Sequence, residues 1–253
     1  MLTKERHEEI LKIVNNAGAV SVQELVSYLD ISESTARRDL LTLDRAGKLQ
    51  KVHGGATALT ELAIPYQADM EDLQDKYSLH MMEKREIGKY AASLIGKNDF
   101  VYIDAGSTTE QIAEFITASE ATFMTNSIPL VQKLARLGLT IFVTPGRVKG
   151  RTEAVVGSQA TEALRQYHFT KGFFGTNGLS LQEGCTTPDL EESMIKSVAL
   201  RQCDQRYVLA DSSKFGLASH NSFAPLSEVE VITVEKKGMD YMPYKKVTEV
   251  HIL

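Results

Sequence analysis

Ser32-Glu33-Ser34-Thr35-Ala36-Arg37-Arg38-Asp39-Leu40 is the stretch on which the fold turns. Ser32 is placed to cap a helix, offering its hydroxyl to a free N–H of the first turn. Ala36, Leu40 and Leu43 recur at i, i+4 and i+7, within about 60° of one another on a wheel of about 100° per residue. Ser34, Arg38 and Arg45 point the opposite way, and Thr35 and Arg37 sit on the flanks. One face is built for a core and the other for something polar.

Upstream, Ser21-Val22-Gln23-Glu24 has the form of a capping box. It opens a helix of about two turns whose apolar face is Leu25, Val26 and Leu29, and Asp30-Ile31 then turns the chain. Earlier still, Thr3 can cap a helix carrying Ile10, Leu11, Val14 and Ala17, with Gly18 beyond its end. Downstream, Gly47 can stop the third helix, and Leu49-Gln50-Lys51-Val52-His53 alternates as a strand before Gly54-Gly55. Residues 1–56 therefore read as three helices and one extended tail.

A short helix, a tight turn and a second helix with Ser, Thr and Arg at its N-terminal end suit the major groove. There a guanidinium can chelate the two acceptors of guanine, and hydroxyls and lysines reach phosphates. The candidate DNA contacts are Ser34, Thr35, Arg37, Arg38 and Arg45 on the helix, with Lys48, Lys51 and His53 on the strand as a wing. The plainer alternative is a solvated face in which Arg37 and Arg38 pair with Glu33 and Asp39. The position on the second helix of a tight pair, followed by a basic strand, favours the groove.

Charge supports this once it is divided. The 253 residues hold 28 Lys and Arg against 33 Asp and Glu, a net −5 that taken whole argues against nucleic acid. Residues 1–56 are neutral, and within 36–53 five bases face two acids. The length suits one large or two modest domains, and 43% hydrophobic with 24% charged residues permits a core. No apolar run reaches the 18 or more residues of a membrane span, and no signal peptide is evident. Cys185 and Cys203 read as reduced thiols in a cytoplasmic protein.

Residues 57–78 have little periodicity and read as a linker that helps dimerise. A helical stretch with Ile87, Ala91 and Leu94 then leads into a second domain, 79–253. There, short apolar runs end in small or polar residues: 100–103 at Asp104-Ala105-Gly106-Ser107-Thr108-Thr109, 122–124 at Thr125-Asn126-Ser127, and 140–143 at Thr144-Pro145-Gly146. Two more, 173–174 and 207–209, end at Gly175-Thr176-Asn177-Gly178 and at Ala210-Asp211-Ser212-Ser213-Lys214. Strands alternating with helices predict an α/β parallel sheet covered on both faces, with a ligand beyond the carboxyl ends of its strands.

Gly106, Ser107, Thr108 and Thr109 lead into a helix expected over Glu110–Ala118, and small residues at a helix start let N–H groups converge on an anion such as phosphate. Asp104 suits sugar hydroxyls, Asn126 and Asn177 can donate and accept, and Lys214 offers a second positive contact beside Asp211. Each has a plainer reading. The glycine-hydroxyl run can be a capped turn, Asp211 and Lys214 a local ion pair, and Thr187-Pro188-Asp189 an N-cap, N1 proline and first-turn acid.

Thr35-Ala36-Arg37-Arg38-Asp39-Leu40, Gly47-Lys48-Leu49 and Val52-His53-Gly54-Gly55-Ala56 together resemble the winged helix-turn-helix of DeoR-family bacterial transcription regulators. Asp104 to Thr109, Thr125-Asn126-Ser127, Gly178, the 186–192 segment Thr-Thr-Pro-Asp-x-Glu-Glu, and Asp211-Ser212-Ser213-Lys214-Phe215-Gly216 resemble that family's sugar-phosphate sensor. The resemblance implies an N-terminal all-α winged helix-turn-helix and a C-terminal fold similar to ribose-5-phosphate isomerase. Tyr167-His168-Phe169-x-Lys171 and Phe174-Gly175-x-Asn177-Gly178 are most similar to the fructose-operon repressor branch, for which the implied effector is fructose 1-phosphate. Pro145-Gly146 departs from a frequent Gly-Gly, and Cys185 stands where an aromatic is common.

Two function classes follow. The first is a repressor, homodimer or homotetramer, that holds double-stranded operator DNA and leaves it when a sugar phosphate binds. The second is a sugar-phosphate isomerase-like enzyme, in which Asp104, Asp211 and Lys214 would move protons. Residues 1–56 would be idle in an enzyme, and no catalytic triad, cofactor motif or metal-ligand spacing stands out among His7, His53, His80, His168, His220 and His251. The expectation is a regulator without cofactor or metal.

Overall fold

The computed structural model describes residues 3–17, 19–45, 48–52, 54–57, 79–118 and 120–253. The chain divides into two compact units, Met1–Ile64 and Pro65–Leu253. The expectations for the Arg45 side chain, His53, the helix-ending Gly18 and Gly47, and the linker at 58–78 fall outside the described residues.

In the first unit, helices α1 (Thr3–Ala17), α2 (Val22–Leu29) and α3 (Glu33–Arg45) bury Ile10, Val14, Leu25, Ala36, Leu40 and Leu43 in one core. These are positions that the helical spacing selects. Ser21 and Glu24 form the expected reciprocal capping box. Asp30 turns the chain in the left-handed region at φ 50°, and Ser32 Oγ accepts the N–H of Thr35 at 3.2 Å to start α3. Burial of these faces, at about 25 cal/mol per Å² of apolar surface, is what holds the short helices.

A small antiparallel sheet completes the unit, so it is not helical throughout. Strands β1 (Ala19–Ser21), β2 (Gln50–Val52) and β3 (Gly55–Thr57) run in the order β1-β3-β2. β2 lies within the predicted strand, and β1 and β3 are strands beyond those predicted. Gly55 is required here: a Cβ at that position would stand 2.2 Å from the Val20 carbonyl oxygen.

The second unit is built on seven strands, β4 (Phe100–Ile103), β5 (Thr122–Thr125), β6 (Thr140–Val143), β9 (Phe169–Gly175), β12 (Cys203–Leu209), β14 (Glu230–Thr233) and β15 (Val250–Ile252). Their order is β15-β14-β12-β9-β4-β5-β6, and all neighbours are parallel. The first five contain or coincide with the predicted runs. Alternate residues of a strand point to opposite faces, so Val101 and Ile103 feed one core and Tyr102 the other. Ile87 and Ala91 of α4 (Met81–Ser93) and Leu130 and Leu134 of α5 (Ile128–Arg136) cover the first face. Ala160 and Leu164 of α6 (Ser158–Leu164) and Ile195 and Ala199 of α7 (Leu190–Arg201) cover the second. A short helix α8 (Met242–Lys245) precedes β15.

Two smaller sheets sit beside the large one: the hairpin β7 (Arg147–Lys149) with β8 (Ala154–Val156), and β10 (Gly178–Ser180), β11 (Gly184–Thr187) and β13 (Asn221–Ala224). Cys185 and Cys203 are free and buried, and burial pushes both thiols up to about 12.

Two local expectations are corrected. The helix expected over 110–118 is a 3-10 helix over Thr109–Glu114. Gln111 N–H reaches the Thr108 carbonyl and Phe115 N–H the Ile112 carbonyl, and such i→i+3 bonds wind the segment tighter than an α-helix. The N-cap of α7 is Asp189 rather than Thr187. Asp189 accepts the N–H of Glu192 at 3.0 Å, while Thr187 belongs to β11, where it pairs with Asn221.

Candidate functional site

In the sheet, β4 connects outward to β5 and β6 on one side, and β9 lies on the other. A switch point of this kind leaves a crevice at the strands' carboxyl ends. A cleft occupies that place, lined by Gly106, Ser107 and Thr108 after β4, Gly175 to Asn177 at the end of β9, and Asp211 and Lys214 after β12. The sheet thus brings together six of the nine residues predicted for an effector.

The other three lie behind the wall. Thr109 is fully buried, and its hydroxyl donates to the carbonyls of Asp104, at 2.6 Å, and Gly106, at 2.9 Å. Asn126 is committed as well. Its Oδ1 accepts from Tyr102 Oη at 3.1 Å and Ala105 N–H at 2.9 Å, so it shapes the loop after β4. Asp104 is 1% exposed. Its Oδ2 accepts from Gly175 N–H at 3.2 Å and forms an ion pair with Lys196 Nζ. Burial raises the Asp104 carboxyl above the usual carboxylate range, against the opposing pull of Lys196.

Lys84, Lys196, Glu192 and Thr152 also line the cleft, and sequence reasoning missed them. Lys196 donates to the Gly175 carbonyl at 3.0 Å and lies 5.5 Å from the centre of the Phe223 ring. A signal existed: Lys196 interrupts the apolar face of α7 between Ile195 and Ala199, four residues after Glu192. Thr152, between β7 and β8, donates to Glu192 Oε1 at 2.8 Å. Arg147 pairs with Glu191 at 2.6 Å and Lys149 pairs with Asp189, so the hairpin is strapped to the first turn of α7.

Asp211 carries the clearest vacancy for a hydrogen bond. Its Oδ1 accepts from Ser213 N–H at 3.0 Å and from the Ser213 hydroxyl. Its Oδ2 is buried with no hydrogen-bond partner, a costly condition for a carboxylate oxygen. Among the described residues no ion pair joins Asp211 to Lys214, so the plainer reading of that pair does not hold. Three lysines, four hydroxyl side chains (Ser107, Thr108, Thr152 and Thr176), an amide at Asn177 and acidic groups at Asp211 and Glu192 can bind an anionic, hydroxyl-rich molecule.

The first unit presents a separate polar face. Ser34, Arg37, Arg38, Lys48 and Lys51 are exposed and Thr35 is half-buried. The hydroxyls of Ser34 and Thr35 lie 2.9 and 2.8 Å from Ser32 Oγ, within the α3 cap. Arg37 pairs with Glu33 at 2.5 Å across one turn. Arg38 has no ion pair or side-chain hydrogen bond among the described residues. Asp39 is turned inward, 4% exposed, where Arg6 Nε meets Oδ2 at 2.6 Å and His7 Nε2 meets Oδ1 at 3.1 Å. The solvated alternative therefore holds for Arg37 with Glu33, but not for Asp39 or Arg38. Lys51 N–H donates to Asp44 Oδ1 at 2.8 Å, fixing β2 to α3 and leaving the Lys51 side chain outside.

Both units match known domains. Residues 6–61 match the DeoR-like helix-turn-helix domain, and residues 79–236 match the DeoR C terminal sensor domain. A protein described as "Uncharacterized HTH-type transcriptional regulator FruR", from Bacillus subtilis (strain 168), is 37% identical over 254 residues, covering 100% of this chain and 99% of its own. A lactose phosphotransferase system repressor of Staphylococcus epidermidis is 33% identical over 240 residues, 93% of each chain. Among solved structures, the full-length sorbitol operon regulator SorC of Klebsiella pneumoniae aligns at 11% identity and TM-score 0.38, covering 82% of this chain and 89% of its own. Ribose 5-phosphate isomerase A of Neisseria gonorrhoeae aligns at 14% and 0.39 over 52% of each. At such TM-scores neither structural likeness carries weight, and the fold rests on the sheet order and the domain matches. The named relatives are regulators and repressors, not enzymes. With both domains matched and relatives aligned along the whole chain, this protein belongs to the DeoR family of transcriptional regulators, with a DNA-binding helix-turn-helix followed by a sensor domain.

Proposed function

We propose that the protein represses a sugar-utilisation operon and is released from its operator when a phosphorylated sugar fills the cleft of the second unit. The observation that carries this is the cleft's lining: Lys84, Lys196 and Lys214 for the phosphate, with Asn177, Ser107 and Thr108 for hydroxyls. Fructose 1-phosphate is the first effector to test. The names of the Bacillus and Staphylococcus relatives, a FruR regulator and a lactose phosphotransferase system repressor, agree with a sugar-linked role.

In this reading residues 1–56 read DNA, 57–78 connect, and 79–253 sense. Arg38 contacts a base edge from α3, and Lys48 and Lys51 contact phosphates. A homodimer or homotetramer in the cytoplasm presents two α3 helices to a pseudo-palindrome one helical turn apart. The experiment is a thermal-shift screen of sugar phosphates followed by a gel shift. A ligand at 100 times its dissociation constant adds about 2.7 kcal/mol. A stabilising sugar phosphate that also releases operator DNA is the expected outcome. A panel without any shift, or a sugar phosphate that is turned over, overturns the reading, the second in favour of an isomerase-like activity.

A further inference from the structure

We propose that His80, Glu83 and Asp211 form a binding site for a divalent transition-metal ion of the zinc class at the edge of the sensor cleft. His80 and Glu83 stand at the start of α4, and Asp211 stands in the loop after β12 that also contributes Lys214 to the cleft. One ligand atom from each, an imidazole nitrogen and two carboxylate oxygens, lies within 4.8 Å of the others. Imidazole with carboxylates is a donor set that takes Zn²⁺ and its neighbours.

Two features separate this cluster from an ordinary acidic surface. First, Asp211 is 1% exposed and its Oδ2 is buried without a partner. Second, the ligands are already oriented. Glu83 Oε2 accepts Ser212 N–H at 2.8 Å, and Glu83 Oε1 is 3.1 Å from His80 Nδ1, a spacing compatible with two ligands on one ion. His80 itself stands at φ 52°, a left-handed conformation that histidine adopts more readily than most residues.

Ligands bound at about 2.0–2.2 Å around a tetrahedral ion lie roughly 3.4 Å apart, so the three ligand atoms, within 4.8 Å of one another, draw together when the ion binds.

Charge gives the ion a purpose. The cleft's three lysines face Asp104, Glu192 and Asp211, with Glu83 bound to the neighbouring Ser212. A phosphate monoester brings roughly −1.5 to −2 more. A divalent cation on Glu83 and Asp211 reverses the local excess of acid. This effect on the ligand rests on the sugar-phosphate reading, whereas metal binding itself does not.

The test is calorimetric titration of Zn²⁺ alone into the untagged full chain after chelator dialysis, with His80→Gly, Glu83→Gln and His251→Ala as variants. Glycine at 80 accepts the left-handed backbone while removing the ligand. His251 reports on the second cluster, Glu230, Glu249 and His251. The expected result is one Zn²⁺ per chain, weakened more than tenfold by His80→Gly and by Glu83→Gln and unchanged by His251→Ala. No saturable binding, equal binding by His80→Gly, or loss with His251→Ala overturns the proposal. Zn²⁺ bound in this pattern by a protein that no sugar phosphate stabilises would leave the metal site standing and remove the sugar-phosphate reading.

Discussion

Lys196 and Asp104, ninety-two positions apart, form a buried ion pair where α7 meets the end of β4. The pair fixes the cleft's floor to its side, since Lys196 also holds the Gly175 carbonyl. Lys196→Met should strand a buried carboxylate and cost about 3–5 kcal/mol. Chemical denaturation checks this, and adding Asp104→Asn should recover part of the loss.

Arg38 is the exposed arginine of α3 without an ion pair among the described residues. Arg38→Ala should cost about 1–3 kcal/mol of operator affinity and relax selectivity at one base. Lys51→Ala should weaken all sequences alike and reduce the salt slope by about one. Gel shifts over a range of salt distinguish the two, and unchanged affinity for Arg38→Ala would remove it from the groove.

Thr108→Ala and Lys214→Ala alter the cleft in the second unit. Each should bind operator as the parent does and fail to release it on addition of the effector. Titrating effector into a preformed protein–DNA complex measures this directly.

Asp39 supplies a pH dependence. Burial pushes its carboxyl up, but hydrogen bonds from Arg6 and His7 outweigh that and hold it below the usual range. A group depressed in the fold stabilises fully above its unfolded value of about 3.9, and that contribution disappears as pH falls through the folded value. Asp39→Asn should therefore lose about 1–3 kcal/mol at neutral pH. The gap between parent and variant should close in acid. Melting followed from pH 7 to pH 3 tests the sign.

The two thiols should be silent. With both pushed up to about 12 by burial, almost no thiolate exists at neutral pH, and thiolate is the reactive form. A colourimetric thiol reagent should find no reactive group in the native protein and two after denaturation.

The sequence made the first unit legible because helix caps and apolar spacing are local: Ser21, Ser32, Ala36 and Leu40 act within one or two turns. It exposed the carboxyl ends of five strands for the same reason, and with them Gly106, Ser107, Thr108, Asn177, Asp211 and Lys214. Lys84, Thr152, Glu192 and Lys196 were not legible from the strand ends, since they reach the cleft from α4, the β7–β8 turn and α7, and only Lys196 leaves a trace, as a break in an apolar helix face. Asn126 and Thr109 have the right chemistry but point into the wall, a choice made by Tyr102, Ala105 and the Asp104 carbonyl. Asp39 reads as part of a basic recognition run and instead anchors α1.

The strand order has a consequence for how the molecule is made. The first unit closes on itself when Ala19 meets Thr57, whereas the middle of the large sheet needs Val101 to find Lys171. Local structure forms early, and parallel pairing across long loops forms late. Emerging from the ribosome in sequence, the chain acquires the half that grips before the half that listens.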